Sequence, residues 1–249
     1  MEKKKLTKLK RNALRILVIS LIVFFGMIFI FYENISPPPL INKDQIPAIF
    51  LIKYPKEFNY RQGLNDCGPF NTAAVVRILK GEPIDSQEFA KKIQWRLPNK
   101  YTLPWGLEKQ LEENNIEIKS PNLKSLSDKD RILFLQEQIS LRKPVILLGE
   151  KDNYQHYVTI FGFDANKNEF YIYDSFQEGN PLIKTLTTDE NRDLPGNTTL
   201  SSEDLIEFWR GGGMYGLYKW YAIVASVENT KNTNPRDPQE AKEPHKTYK

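Results

Sequence analysis

The spacing of apolar positions changes along the central part of the chain, from helical in its first half to strand-like in its second half. Apolar residues recur at helical spacing in GPFNTAAVVRILKG (residues 68–81), which ends at a glycine, and in PWGLEKQLEENN (104–115) and SDKDRILFLQEQISLR (127–142). DSQEFAKKIQW begins with Asp85 and carries Glu88 three residues later, which favours a capped helix start. These four stretches are predicted to be helices.

Strand patterns dominate from residue 143 onward. KPVILLGE (143–150) is a short apolar run, and HYVTIFGF (156–163) and EFYIYDSF (169–176) alternate between apolar and polar positions. YKWYAIVASV (218–227) is rich in β-branched and aromatic residues, which also favours a strand. Helices followed by an antiparallel sheet define an α+β order, and we predict one domain of this class.

The amino-terminal region has the pattern of a membrane anchor. ILVISLIVFFGMIFIFY, residues 16–32, is apolar apart from one serine and one glycine, and residues 1–15 carry seven Lys or Arg against one Glu. The following ENISPPPL lacks the small residues of a signal-peptidase site, so an uncleaved signal anchor is preferred to a cleaved signal peptide. Because basic flanks stay in the cytoplasm, the rest of this single-pass chain is predicted to be extracytoplasmic.

The remaining composition divides the chain into a stalk, a folded unit and a tail. Residues 33–47 are rich in proline and predict a stiff stalk, whereas residues 227–249 are almost free of apolar side chains and predict a disordered tail. The folded unit is therefore expected at residues 48–226. Residues 1–15 hold six net positive charges of a chain whose net charge is +4, so the rest carries −2 and predicts no nucleic-acid partner.

Cys67 is the single cysteine of the chain and lies at a predicted helix start. A domain outside the cytoplasm meets oxidising conditions, but Cys67 has no cysteine partner within the chain. Asp66 before it, and Gly68 and Pro69 after it, predict a tight turn that leads into a helix. A helix amino terminus favours the nucleophilic thiolate, so Cys67 is a candidate nucleophile; a small buried core residue is the alternative.

A histidine and an aspartate complete a candidate catalytic group. His245 falls in the predicted tail, so His156 is the remaining imidazole for the folded unit. DANKN, residues 164–168, predicts a hairpin turn whose register places Asp174 opposite or diagonal to His156 on one face. Taken singly, His156 could be a structural histidine and Asp174 a residue that starts a turn. Asp164, at the far end of the strand, is the alternative candidate for the carboxylate. Together the three residues have the pattern of a nucleophile, a base and an orienting carboxylate.

Other chemistries lack their residues. The one cysteine and one histidine of the predicted folded unit cannot form a cysteine-rich zinc site, and no HExxH pattern is present, so we predict neither a metal nor a cofactor. WRGGGMYG contains glycines without the lysine and helix of a phosphate-binding loop. We interpret residues 211–213 as a turn or a mobile loop near the cleft.

Three motifs together resemble a known family. GLNDCGPFNTAAV, QHYVTIFGFD and FYIYDS, in this order, resemble the cysteine peptidases that process bacteriocin precursors, the thirty-ninth family of cysteine peptidases, and their free-standing bacterial relatives. The resemblance implies a papain-like fold over residues 48–226, with Cys67 as nucleophile, His156 as base and Asp174 as orienting carboxylate. It also implies an oxyanion-hole role for Gln62, which by position alone is equally compatible with a solvated loop residue.

The expected function is a membrane-anchored, extracytoplasmic cysteine hydrolase, most simply a peptidase acting on a peptide or protein. Leader-processing members act on cytoplasmic precursors and are fused to transporters, whereas this chain has one predicted anchor and no ATPase part, so cleavage after a double-glycine leader is not implied. Two alternatives stay open: an amidase or acyltransferase acting on cell-wall peptides or small amides, and a catalytically inert binding module on the same fold. The oligomeric state is left open.

Overall fold

Helices and antiparallel strands are interleaved along the chain. The computed structural model describes residues 12–26, 42–176, 191–213 and 216–227. Within these ranges the helices are α1 (residues 12–26), α2 (Cys67–Lys80), α3 (Ser86–Lys92), α4 (Pro104–Glu113), α5 (Asp128–Ser140) and α6 (Ser202–Arg210). The strands are β1 (Ile49–Leu51), β2 (Glu117–Lys119), β3 (Val145–Lys151), β4 (Tyr154–Asp164), β5 (Glu169–Tyr173), β6 (Thr198–Ser201) and β7 (Ala222–Ser226).

One antiparallel sheet contains all the strands of the described ranges, in the order β2-β7-β3-β4-β5-β6 with β1 added to β4. Strand β4 is the longest of them, with eleven residues. Its first seven residues pair with β3 and its last three pair with β1, while β5 pairs along the opposite edge of its second half. Strand β4 therefore connects all parts of the sheet.

Both faces of the sheet centre are covered by helices. Val145 and Leu147 of β3 join the core cluster that contains α5 and α6, whereas Ile146 and Leu148 join the cluster that contains α2, α3 and α4. Successive strand side chains point to opposite faces, so burial on both faces makes β3 a continuous apolar run rather than an alternating one. The unbroken apolar run in KPVILLGE is thus explained by the helical layers on both faces of the sheet.

The predicted helices and strands are present, with ends shifted by a few residues. Asp85 caps α3 by accepting the backbone N–H groups of Gln87 and Glu88, as predicted. The order of helices first and strands second is only partly right, because β1 and β2 precede the main strands and α6 separates β6 from β7. Strands of three residues are too short to show a period, and α6 carries a cap signal in Ser201 and Asp204 that the sequence analysis did not use.

The predicted anchor lies only partly within the described residues. Residues 12–26 form a helix whose side chains are all exposed, while residues 27–32 of the predicted span, residues 33–41 of the stalk and residues 228–249 of the tail lie outside the described ranges. Within those ranges, none of the helices has the length and apolar character needed to cross a bilayer.

Gly149 of β3 makes room for α6 beside β4. It pairs with His156 of β4, and a methyl group at Gly149 would overlap the ring of Phe208. We predict that Gly149→Ala lowers the free energy of unfolding by about 1–3 kcal/mol, because the ring or α6 must shift. Urea unfolding measures this loss.

Phe208→Ala supplies the control for this substitution. The three atoms closest to a methyl group at Gly149 all belong to the Phe208 ring, so the loss caused by Gly149→Ala should fall close to zero in the Phe208→Ala background. Equal losses in both backgrounds would show that the Phe208 contact does not limit this position.

Candidate active site

The turn before Cys67 is fixed by an ion pair. Cys67 is the first residue of α2 and is buried, and Asn65 before it has a left-handed backbone conformation with φ of 56°. The Asp66 carboxylate makes no helix cap and instead accepts a hydrogen bond of 2.7 Å from Arg96 Nη2. Arg96 Nη2 also donates to the carbonyl oxygens of Asn65 and Lys100. The predicted turn is present, and Arg96 joins it to the loop before α4.

Close packing at Gly68 holds the first turn of α2 against α4. A Cβ at Gly68 would lie 2.9 Å from Leu107 Cδ1 and 3.3 Å from Thr102 Cβ, so a larger residue would push the two helices apart. Pro69 lies in the same first turn, where its missing N–H costs no helical hydrogen bond. The DCGP stretch therefore combines a sharp turn, a close helix contact and an unstrained helix start.

His156 and Asp174 meet in the interior of the domain. His156 Nε2 donates to Asp174 Oδ1 at 2.7 Å, and both side chains are about 6% exposed. Phe176 and Phe208 contact the imidazole edge-to-face, with ring centroids 5.9 Å and 6.4 Å from it. The hydrogen bond and the two aromatic rings hold the imidazole, and Nδ1 is its remaining ring nitrogen.

The hairpin register explains this meeting. Strands β4 and β5 pair from Asp164–Glu169 to Thr159–Tyr173, with a bulge between Ile160 and Gly162. Continuation of that register sets Asp174 diagonal to His156 on the same face, as predicted. Asp164 is instead bound to the turn, where its Oδ1 accepts the backbone N–H groups of Asn166 and Lys167.

Two further residues hold Asp174 and were missed by the sequence analysis. Lys151 Nζ donates to Asp174 Oδ2 at 2.8 Å. Asn197 brackets the backbone of Asp174, accepting its N–H and donating to its carbonyl oxygen, each at 2.8 Å. Neither role can be predicted from the local sequence, because a lysine at a strand end and an asparagine in a loop have the pattern of ordinary surface residues.

The charges of the pair stabilise one another. Burial lowers the pKa of His156, but the Asp174 carboxylate and the adjacent Cys67 outweigh burial and raise this pKa to about 9. Burial raises the pKa of Asp174, but His156 and Lys151 outweigh it and lower this pKa below its usual value. A protonated imidazole next to an ionised carboxylate is therefore the favoured state at neutral pH.

Gln62 is bound to the residue that follows Asp174. The Ser175 hydroxyl donates to Gln62 Oε1 at 2.7 Å, and the Gln62 backbone N–H donates to the Ser175 carbonyl oxygen at 3.0 Å. With Oε1 occupied in this way, the NH₂ group of the Gln62 amide is the end left for a bound molecule. The side chain is half-buried rather than a free loop residue.

A cleft of about 310 Å³ brings these groups together. Its wall includes Gln62, Cys67, Tyr101, Lys151, Gln155, His156 and Phe176. Asp174 lies behind the imidazole rather than on the cleft wall. The glycines at residues 211–213 adjoin the cleft, because Gln155 of its wall donates to the Gly211 carbonyl oxygen and accepts a hydrogen bond from the Gly213 N–H.

This set of groups suits acyl transfer. A thiol, an imidazole backed by a carboxylate and an amide donor share one cleft, and these are the parts that covalent catalysis at a carbonyl carbon requires. No residue beyond those of the chain is needed to supply a nucleophile, a proton carrier or a donor to an oxyanion.

Comparison with known proteins supplies a family. One similar solved structure is the peptidase domain of Streptococcus ComA, a bi-functional ABC transporter involved in a quorum sensing pathway, at 17% identity and a TM-score of 0.40 over 68% of this chain and 96% of that one. Another is xylellain, a cysteine protease from Xylella fastidiosa, at 14% identity and a TM-score of 0.42 over 78% and 92%. The curated proteins contain no match.

The family model with the description Peptidase_C39 like family matches residues 45–192, more than half of the 249 residues. This range contains the Cys67 turn and the hairpin of His156 and Asp174. The chain therefore belongs to the Peptidase_C39 like family and is a cysteine peptidase.

Proposed function

We propose that the chain hydrolyses peptide bonds through Cys67, His156 and Asp174 in a papain-like arrangement, with Gln62 in the oxyanion hole. The observation that carries the proposal is the buried hydrogen bond of 2.7 Å between His156 and Asp174, beside the cysteine at the start of α2. Membership of a cysteine peptidase family supports the same chemistry. The proposed substrate is a peptide or protein, and a double-glycine leader is not part of the proposal.

The first half of the reaction uses the protonated imidazole. The pKa of His156 is raised to about 9 by Asp174 and Cys67, so the ring is a strong enough base to accept the proton of Cys67 as the sulfur becomes the nucleophile. The sulfur attacks the carbonyl carbon and forms a tetrahedral oxyanion, which accepts hydrogen bonds from the Cys67 backbone N–H and the Gln62 amide. That N–H has no acceptor within α2, because it belongs to the first helical turn.

The second half releases the two products. The tetrahedral intermediate collapses with cleavage of the C–N bond, and His156 gives its proton to the departing amine. The ring, now neutral, takes a proton from water as the water attacks the thioester, and collapse of the second tetrahedral intermediate breaks the C–S bond and releases the acid. The proton on Nδ1 and the freed sulfur then restore the starting pair. Asp174 remains ionised throughout and keeps Nε2 protonated, so Nδ1 exchanges the proton with sulfur.

The proposed location is outside the cytoplasm, with residues 16–32 as a membrane anchor. The support is the apolar run that follows seven cations and one acid, together with the exposed side chains of the helix at residues 12–26. The cleft would then meet extracytoplasmic substrates.

The catalytic proposal predicts the effect of four substitutions in the full-length protein. Cys67→Ala and His156→Ala should each lower kcat/KM for peptide hydrolysis by more than about 10³-fold, because they remove the nucleophile and the proton carrier. Gln62→Ala should lower kcat by about 10²-fold with little change in KM, because its donor acts on the oxyanion. Asp164→Asn is the matched control and should stay near wild type. Full activity in Cys67→Ala on the native substrate would exclude a thiol mechanism.

The electrostatics predict the pH dependence of the site. Activity should decline above about pH 9 as the His156 imidazolium loses its proton, and Asp174→Asn should move this decline to lower pH, because the carboxylate raises the pKa of His156. The ordinary pKa of histidine is about 6.5, so the stability contributed by the protonated ring is complete below that pH and is lost as the pH rises through about 9.

Lys151→Met provides the opposite control. Removing this cation takes a positive charge from the neighbourhood of the imidazolium, so the alkaline decline should move to higher pH. The measurement is kcat/KM as a function of pH for the wild type, Asp174→Asn and Lys151→Met. An unchanged alkaline limb in Asp174→Asn would contradict the role given to the carboxylate.

The topology predicts which segments a protease reaches in intact cells. Protease added outside should cleave loops of the domain, such as residues 94–103, and should leave a tag before residue 3 intact. Immunoblotting with and without permeabilisation measures both. Protection of the domain until permeabilisation would overturn the extracytoplasmic placement without affecting the catalytic proposal.

A further inference from the structure

A buried amide joins the helix of the nucleophile to the strand of the base. Asn71 lies on α2 one turn after Cys67 and has no exposed surface. Its Nδ2 donates to the Cys67 carbonyl oxygen at 2.9 Å and to the Tyr157 carbonyl oxygen at 2.8 Å. Its Oδ1 accepts the Thr159 hydroxyl at 2.7 Å. Both N–H donors of the amide are therefore used, one toward each element.

We propose that Asn71 is a positioning residue that sets the distance and orientation of Cys67 relative to His156. The inference rests on the proposed catalytic pair and adds a residue to it. The two carbonyl groups bridged by Asn71 belong to Cys67 itself and to Tyr157, the residue directly after His156. The amide thus spans the gap between the two catalytic elements within one residue of each reacting side chain.

Apolar packing alone does not fix this geometry. Residues of α2 such as Val75 and Val76 contribute apolar contacts to the core beside the sheet, and such contacts are non-directional. In the described part of the chain, no other side-chain hydrogen bond joins α2 to β4, apart from the contact between Cys67 and His156 themselves. A displacement of about 1 Å in a catalytic group can cost about 10²-fold in rate, so the directional contact at Asn71 has a catalytic consequence.

Thr72 provides a matched control on the same helix. It is equally buried, and its hydroxyl donates to the Gly68 carbonyl oxygen at 2.9 Å, one turn back along α2. Unlike Asn71, it makes no hydrogen bond to β4. Thr72→Val therefore removes a buried side-chain hydrogen bond of similar type while leaving the bridge between α2 and β4 intact.

The experiment measures alkylation of Cys67 by iodoacetamide from pH 5 to 10 in the full-length protein, because this rate reports the thiolate and its imidazolium partner without any substrate. Asn71→Leu, which removes the bridge but keeps a similar volume, should alkylate at least tenfold more slowly near pH 7. Its pH profile should approach that of His156→Ala. On a cleaved peptide, kcat should fall by about 10–100-fold with KM within about threefold of wild type.

Asn71→Ser is a second variant that tests the proposal if Asn71→Leu does not fold. Its hydroxyl can still donate to the Cys67 carbonyl oxygen but is too short to reach Tyr157, so the same loss of kcat and the same change in the alkylation profile are expected. Thr72→Val should keep the wild-type alkylation profile and kcat even where urea unfolding shows a comparable loss of stability. Circular dichroism establishes that each variant is folded.

The outcomes separate the two proposals. Wild-type alkylation and kcat in a folded Asn71→Ser or Asn71→Leu protein overturn the positioning role and leave the catalytic pair untouched. An equal change of the alkylation profile in Thr72→Val also overturns the positioning role, because the effect then follows from general destabilisation of α2. If the wild-type protein and His156→Ala show the same pH profile of alkylation, the proposed pair of Cys67 and His156 is overturned, and the role of Asn71 with it.

Discussion

The buried hydrogen bond between His156 and Asp174 is the interaction on which the site depends. Two charged groups removed from water are stable only when their partners replace the lost hydration. Here Asp174 accepts hydrogen bonds from His156, Lys151 and the Phe176 backbone N–H, which together offset its desolvation. The same contacts fix the imidazole plane, so the electrostatic requirement and the orientation required for catalysis are met by one arrangement.

Strand β4 transmits this arrangement to the rest of the domain. It pairs with β1, β3 and β5, and it carries His156 near one end and the hairpin turn at the other. Gly149 on the neighbouring strand leaves space for Phe208 against the imidazole, and Asn71 fastens α2 to the backbone just beyond it. Cys67 and His156 therefore lie on regular elements, α2 and β4, and Asp174 directly follows the end of β5.

The segment from Gln62 to Cys67 depends on partners on both of its sides. Ser175, next to Asp174, holds the Gln62 side chain, and Arg96 holds Asp66. Of the two proposed oxyanion donors, Gln62 is therefore held by the residue that follows Asp174, whereas the Cys67 N–H is placed by the turn that Arg96 holds. The Gln62 side chain and the Asp174 carboxylate are thus joined through one residue, Ser175.

Local pattern was sufficient for much of this protein. Helical spacing located α2, α4 and α5, and the turn chemistry of residues 164–168 set a register that placed Asp174 beside His156, because a hairpin is a short-range structure. The three-residue strands and the partners of the site were decided by tertiary structure. Lys151, Asn197, Arg96 and Asn71 reach their contacts from 23 to 86 residues away. Such contacts arise only when packed layers bring distant segments together, and no spacing along a single chain encodes them.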